Sequence, residues 1–284
     1  MNIVYFGYLV EPLKAAIDSG VSVKGVVIEP SSKKTKDMIG YCEAKGLKIM
    51  EAGEIRSNSL IVELLCNASI AVVGAFGQIF SGKLLRIPKY GFCNIHFSYL
   101  PKYKGNNPME WMIINGEEYG GVTYHWISEN VDEGDIIKQC KVPILPNDNY
   151  DALYNKCLKE SYLLGRDLFS KDPRDWPRKE QDIIDNEYYP KRTSNDSTLS
   201  KRMSLLEIDR IIRAEGWKGV VSFSCNKRQF TAESHLLSND VSGYQNGEVM
   251  QVSGNKVTLC IHGRAVELFL LKNDRVPEVS TVID

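Results

Sequence analysis

Long apolar runs are missing from this 284-residue chain. None approaches the roughly 20 consecutive residues that a membrane-spanning helix needs, so no membrane association is expected. Charge of one sign is missing too. Lys and Arg total 35 against 36 Asp and Glu, a net charge of −1, and no basic stripe of the kind that holds a nucleic-acid backbone stands out. Nucleic acid is therefore not an expected partner. Histidine is scarce, with four residues. The seven cysteines, at 42, 66, 93, 140, 157, 225 and 260, are odd in number and none has metal-ligand spacing. Buried reduced thiols are expected, with no metal and no disulfide. The opening MNIVYFGYLV has neither a basic n-region nor a small-residue cleavage site and reads as a buried strand, so a soluble cytoplasmic protein is expected. The first strand-to-helix turn, FGYLVEP, offers one glycine, Gly7, where a dinucleotide site needs GxGxxG. Neither GxxxxGK[ST] nor GxSxG occurs.

What is present is ordinary globular composition, 43% hydrophobic and 25% charged, at a length that suits one medium domain and a small one. The first half alternates short apolar runs with amphipathic stretches. Strands are expected at Ile3–Phe6, Val23–Ile28, Ile70–Ala75 and Cys93–Phe97. Helices are expected at Glu11–Ser19, Thr35–Lys45, Ile55–Leu65 and Pro108–Asn115. This alternation predicts an α/β fold with a Rossmann-like, mostly parallel sheet covered on both faces. Strands near Gly121–Ile127 and Ile136–Val142 follow. A long helix then spans Tyr150–Phe169, with Leu153, Cys157, Leu158, Leu164 and Leu168 as its apolar face. Residues 171–200 are rich in proline, charge and turn formers. Ser204 and Glu207 then form a capping-box pattern that opens a helix to Ala214. Strand signals at Val220–Phe223, Glu248–Val252, Lys256–Ile261 and Ala265–Leu271 complete a small β-rich domain. The expected organisation is a catalytic domain over 1–180, a linker over 181–203 and a C-terminal β domain over 204–284.

The chemistry is concentrated in residues 91–139. Alternation along the strand sends Cys93, Ile95 and Phe97 to one face and Asn94, His96 and Ser98 to the other. Polar groups inside a covered sheet need partners, and in an open α/β sheet the carboxyl ends of the strands are where ligands bind. A loop bearing proline and glycine, LPKYKGNN, follows directly. Further on, NVDEGDI places Asp132 and Asp135 in a turn that can meet His96. Each residue alone has an ordinary structural explanation. Together they point to a site, and the residues by themselves name no reaction.

These motifs resemble those of the folate-dependent formyltransferases. The resemblance rests on Asn94-Ile95-His96, on Ser98 to Gly105 reading SYLPKYKG, on Gly121-Val122-Thr123 and on Asp132-Glu133-Gly134-Asp135-Ile136. It covers roughly residues 70–145 strongly and the first 70 weakly. It implies an enzyme that moves a formyl group from 10-formyltetrahydrofolate to an amine, with Asn94, His96 and Asp132 as the catalytic trio. The nucleophile is the substrate's own amine, so no catalytic Ser or Cys is needed, and Ser98 reads as structural. Asn and His can donate to the developing oxyanion, and a base must take the amine's proton. Whether His96 is base, donor or both stays open. The resemblance also implies a folate contact along Phe76, Gly77, Gln78 and Ile79 and at Asp135. The same 76–79 stretch is equally compatible with a strand end running into a short helix. Lys104, Gly105 and Asn106 are candidates to meet the acceptor, although a solvated lysine is the commoner role for Lys104. Trp111 and Trp126 suit the core as well as a substrate surface.

Three branches share the trio. The glycinamide ribonucleotide enzymes normally stop after the catalytic domain, about 90 residues short of this chain. The methionyl-tRNA enzymes carry a C-terminal β domain that must meet a polyanion, yet residues 201–284 hold eleven Lys/Arg against ten Asp/Glu. Asn107 to Trp111, Asn115-Gly116-Glu117 and Thr123-Tyr124-His125 are most similar to the nucleotide-linked amino-sugar N-formyltransferases of bacterial surface glycans such as the lipopolysaccharide O-antigen. The expected partner is thus a small nucleotide sugar, dTDP-linked before UDP- or GDP-linked. The apolar C-terminal strands offer a homodimer face. A module that binds folate or nucleotide sugar without turnover is the reading from another class, and the intact trio stands against it.

Overall fold

The structure is a computed structural model. It describes the chain except residues 31–32, 56–57, 183–186, 227 and 271–275, and gives backbone alone at 194 and 233–239. In chain order the elements are β1 (Asn2–Gly7), α1 (Val10–Asp18), β2 (Ser22–Ile28), α2 (Lys36–Lys45), β3 (Ile49–Glu51), α3 (Ser59–Cys66), β4 (Ile70–Gly74), α4 (Gly82–Leu85), β5 (Phe92–His96), β6 (Lys104–Gly105), α5 (Pro108–Asn115), β7 (Tyr119–Trp126), β8 (Ile136–Pro143), α6 (Tyr150–Phe169), β9 (Tyr188–Tyr189), β10 (Thr198–Leu199), α7 (Leu205–Glu215), β11 (Val221–Cys225), β12 (Arg228–Asp240), β13 (Val249–Ser253), β14 (Lys256–Ile261) and β15 (Arg264–Leu270). Residues 56–57 of the third expected helix, 183–186 of the expected linker and Leu271 of the last expected strand lie outside the described residues.

The chain forms two compact units. One comprises 1–108, 119–143 and 154–189, and the other 109–118, 144–153 and 190–284. The first is built on a seven-stranded sheet in the order β3-β2-β1-β4-β5-β7-β8. Its first five members run parallel and the β5–β7 and β7–β8 pairs antiparallel. β1 and β4 are buried almost throughout, as strands covered on both faces must be. Val4, Phe6, Val27, Ala71, Val73 and Phe92 pack on one face with Ile61 and Leu65 of α3. Where strand order reverses, between β1 and β4, the backbones touch: a Cβ on Gly7 would stand 2.1 Å from the Gly74 carbonyl oxygen. That oxygen accepts from the amides of Tyr8 and Leu9. Along α6 the buried line is Leu153, Cys157, Ser161, Gly165 and Leu168, an i, i+4 stripe. Leu158 and Leu164, expected on that face, flank it half-buried.

The second unit carries a six-stranded sheet, β10-β11-β12-β15-β14-β13. Ile208, Ile211 and Ile212 of α7 belong to its core together with Val221, Phe223, Val257, Leu259 and Val266. Ser204 and Glu207 close the capping box the sequence announced. β12 was not marked in the sequence. Two register shifts interrupt its pairing with β15, and bulges of this kind erase the two-residue period by which a strand is read. Beneath α7 lies a buried ion network. Arg192 meets Glu215 at 3.0 Å with side chains 4% and 2% exposed, Lys218 reaches Glu110 at 2.6 Å, and the Arg192 guanidinium lies 4.6 Å from the Trp111 ring centre. Among the described residues no helix is long and apolar enough to cross a membrane.

Candidate active site

β5 begins in the apolar core and ends in a polar cluster. Phe92 belongs to the α3-side core, and by alternation its face-mates are Asn94 and His96. β7 runs antiparallel with Asn94 opposite His125 and His96 opposite Thr123, so all four side chains share one face. The turn before β8 then brings in Asp132. Its φ of 55° lies in the left-handed region, which Asp tolerates better than most residues. Gly134 makes the turn possible by close approach: a Cβ there would fall 1.7 Å from the Trp126 carbonyl oxygen. Gln181 braces the turn, its amide donating to the carbonyls of Asp132 at 2.8 Å and Gly134 at 2.7 Å.

Asp132 is the hub. Oδ2 stands 3.6 Å from His96 Nδ1 and accepts from the Gly105 amide at 2.9 Å. Oδ1 stands 3.5 Å from His125 Nε2 and 3.5 Å from Asn94 Nδ2. Asn94 Nδ2 also lies 3.0 Å from His125 Nε2. Burial alone would raise the Asp132 carboxyl. The His96 charge, the hydrogen bond and charge of His125 and the Gly105 amide outweigh burial and hold it well below the usual carboxylate range. Each imidazole is also anchored on a backbone carbonyl, His96 Nε2 on Tyr103 at 2.8 Å and His125 Nδ1 on Trp126 at 2.9 Å. A carbonyl oxygen only accepts, so both of these nitrogens carry protons.

The loop after β5 is held by a short strap. β6 pairs with β9, and the Tyr103 and Tyr189 rings stack at 4.6 Å. Lys104 is buried, not solvated. Burial lowers its pKa against the opposing pull of Glu133 and Asp132. The Gly105 amide is committed to Asp132, and exposed Asn106 donates to the Tyr188 hydroxyl at 3.4 Å. Ser98 is fully buried and its hydroxyl donates to the Lys102 carbonyl. In the segment expected to meet folate, Gly77 and Ile79 are exposed. The Phe76 ring packs on Phe80 and Phe6. The Gln78 side chain bonds Gly53 and Ile55 in the loop after β3. Asp135 turns its carboxylate toward Arg178 at 4.0 Å. Trp126 is buried, donating to the Pro177 carbonyl, and Trp111 donates to the Pro190 carbonyl.

The structure thus brings Asn94, His96 and Asp132 together. It adds His125, Tyr103 and Gln181, to which the sequence reading gave no place in the site. For His125 a signal existed, because an antiparallel partner strand puts it beside Asn94. For Gln181, about fifty residues downstream in the expected linker, none did. Among the described residues no cluster of His, Cys, Asp and Glu suits a metal ion.

The formyl transferase family matches residues 13–164, more than half of the chain. The chain belongs to that family. It is accordingly an enzyme of formyl-group transfer, and its sheet with a further β-rich unit is the formyltransferase fold. A methionyl-tRNA formyltransferase of Agathobacter rectalis is 29% identical over 279 residues, covering 90% of this chain and 86% of that one. WlaRD, a sugar 3N-formyl transferase solved in the presence of dTDP and 5-N-formyl-THF, superimposes with a TM-score of 0.69 at 20% identity, covering 96% of this chain and 98% of that one. An N-formyltransferase from Helicobacter canadensis, in complex with folinic acid and dTDP-3-aminofucose, gives 0.64 at 21% identity over 95% and 99%. At those identities the two structures speak for the fold.

Proposed function

We propose that this formyltransferase moves the formyl group of 10-formyltetrahydrofolate onto the amine of a nucleotide-linked amino sugar, in bacterial surface-glycan synthesis. The observation that carries the chemistry is the convergence of Asn94, His96 and Asp132 at the carboxyl end of β5. A neutral amine attacks the formyl carbon, forming a C–N bond and a tetrahedral intermediate with charge on the formyl oxygen. The Asn94 amide donates to that oxygen, a contribution of about 3–4 kcal/mol by the standard of other oxyanion donors. Once the Tyr103 carbonyl is displaced, the His96 hydrogen shifts to Nδ1, facing Asp132, and the freed Nε2 takes the amine's proton while Asp132 stabilises the imidazolium. The bond from the formyl carbon to N10 then breaks, N10 takes up a proton, and tetrahydrofolate and the N-formyl product leave. Exposed Gly77 and Ile79, with the Asp132 turn, form the folate contact. Lys104 to Asn106 face the acceptor side.

The acceptor reading is supported by the charge balance of residues 201–284, eleven basic against ten acidic. Such a surface has little to offer a polyanion. The full-length likeness to a fold that in WlaRD was solved with dTDP agrees with it. A second reading, methionyl-tRNA formylation, is favoured by the name of the curated relative at 29% identity. One assay separates them. The protein is incubated with 10-formyltetrahydrofolate and, in turn, dTDP-, UDP- and GDP-linked amino sugars and initiator methionyl-tRNA, and tetrahydrofolate and formylated product are measured. Turnover with an amino-sugar nucleotide is expected. Turnover with the tRNA alone overturns the acceptor reading, and no turnover with any amine overturns the reaction.

A further inference from the structure

We propose that His125 is a positioning residue: its protonation decides which end of the Asn94 amide faces the formyl oxygen. The proposal rests on the formyl-transfer reading for its consequence, but its structural premise stands on hydrogen-bond geometry alone.

His125 is buried, with 2% of its side chain exposed. Its Nδ1 lies 2.9 Å from the carbonyl of Trp126. That oxygen can only accept, so Nδ1 keeps its hydrogen in both the neutral and the cationic ring. The neutral ring therefore has a lone pair at Nε2. Two groups face that nitrogen, the Asn94 amide at 3.0 Å and Asp132 Oδ1 at 3.5 Å. A further titratable neighbour is His96, whose ring lies edge-on at 6.4 Å.

With His125 neutral, the lone pair at Nε2 demands a donor. Asn94 Nδ2 supplies it and offers its second hydrogen to Asp132 Oδ1. Both amide hydrogens are then spent inward, and the side-chain carbonyl is the atom left to face the substrate. A carbonyl there repels a developing oxyanion. With His125 cationic, Nε2–H donates instead. The Asn94 amide turns over, Oδ1 accepts from His125, and Nδ2 presents its hydrogens to the formyl oxygen. An amide's two ends are nearly isosteric, so this reversal needs no other movement. Asp132 is placed to stabilise the cation, with one oxygen toward each imidazole. Transfer thus requires a protonated His125 beside a His96 free to accept a proton, so kcat is expected to fall at alkaline pH.

The test has two arms. In the first, the wild-type chain is labelled with 15N-histidine and its four histidines are followed across pH by NMR, with His125 assigned from a His125→Gln sample. Neutral His125 is expected to carry its hydrogen on Nδ1. A hydrogen on Nε2 overturns the proposal whatever the enzyme transfers. In the second, kcat and KM are measured against pH. The longer amide of Gln can donate or accept at the Nε2 position, so H125Q is expected to lose the alkaline fall in kcat. His125→Leu, which can do neither, is expected to lower kcat by about 10²–10³-fold, the cost of one misaligned oxyanion donor, with KM for the folate within threefold. An alkaline limb unchanged in H125Q, or a kcat in H125L within threefold of wild type, overturns the proposal. A wild-type enzyme that formylates nothing refutes the proposed reaction instead and leaves the NMR arm intact.

Discussion

A carboxylate between two imidazoles is the electrostatic centre of this site, and its protonation is tied to folding. Asp132 holds its proton less tightly in the folded chain than in the unfolded one, because His96, His125 and the Gly105 amide favour the ionised form. A depressed folded pKa contributes stability that is present above the unfolded value, about 3.9, and lost as pH falls through the folded value. Unfolding by urea from pH 7 down to pH 3 should therefore show the wild-type advantage over Asp132→Asn at its full size near neutrality and shrinking below about pH 4. A constant difference across that range would show that the carboxylate is not held by its neighbours. Asn94 makes a different contribution. In the proposed reaction it supplies a donor matched to the transition state, so Asn94→Ala should lower kcat by about 10²–10³-fold while changing KM little. Steady-state kinetics with varied folate checks this, and a loss confined to KM would make Asn94 a binding residue only.

At the scale of the elements, the turn that carries Asp132 is positioned by contacts of two kinds. Gly134 lets the backbone pass against Trp126, and Gln181 clamps the carbonyls on either side of Glu133. Gly134→Ala forces the turn away, because the Cβ has nowhere to go but the Trp126 carbonyl. A displacement of about 1 Å costs on the order of 100-fold in rate, so kcat should drop by that order while the far-ultraviolet circular dichroism stays native. Retained activity would show that Asp132 needs no exact placement. The loop after β5 is fixed in a comparable way by the β6–β9 pair and the Tyr103–Tyr189 stack. Tyr103 has a φ of 59° and supplies the carbonyl that occupies His96 Nε2, so in the proposed reaction this loop must yield for His96 to meet an amine.

At the scale of the whole molecule, stability and acceptor choice are separable. Glu215 neutralises Arg192 inside the second unit, and both are almost fully buried. Removing one partner of such a pair strands the other charge and costs about 3–5 kcal/mol. Glu215→Ala should lower the thermal midpoint accordingly, and a midpoint unchanged in calorimetry would mean the unit relaxes around the loss. The near-neutral chain also fixes an expectation about salt. A small nucleotide-sugar acceptor should show a KM that changes modestly between 50 and 200 mM salt, whereas an acceptor held through six to ten phosphates would lose roughly 10³–10⁵-fold in affinity. The salt dependence of KM distinguishes them.

Sequence by itself determined the β/α alternation, the Ser204–Glu207 cap and the presence of Asn94 and His96 on one strand face. Each is a local pattern: a period of two or 3.6 residues, or a cap spaced by three, survives whatever the rest of the chain does. It could not mark β12, whose bulges break the period, nor the burial of Lys104, which depends on what folds over it. Tertiary structure alone decided the remainder of the site. His125 enters through antiparallel register with β5, Gln181 through a contact some fifty residues away in sequence, and the Tyr103 carbonyl through the course of a loop. Asn94 and His96 were legible because residue chemistry and strand alternation coincide there, whereas Asp132 joined them through the resemblance of its motif. The Tyr103 and Trp126 carbonyls that anchor the two imidazoles are placed by the fold, and no residue type encodes where a carbonyl oxygen will lie.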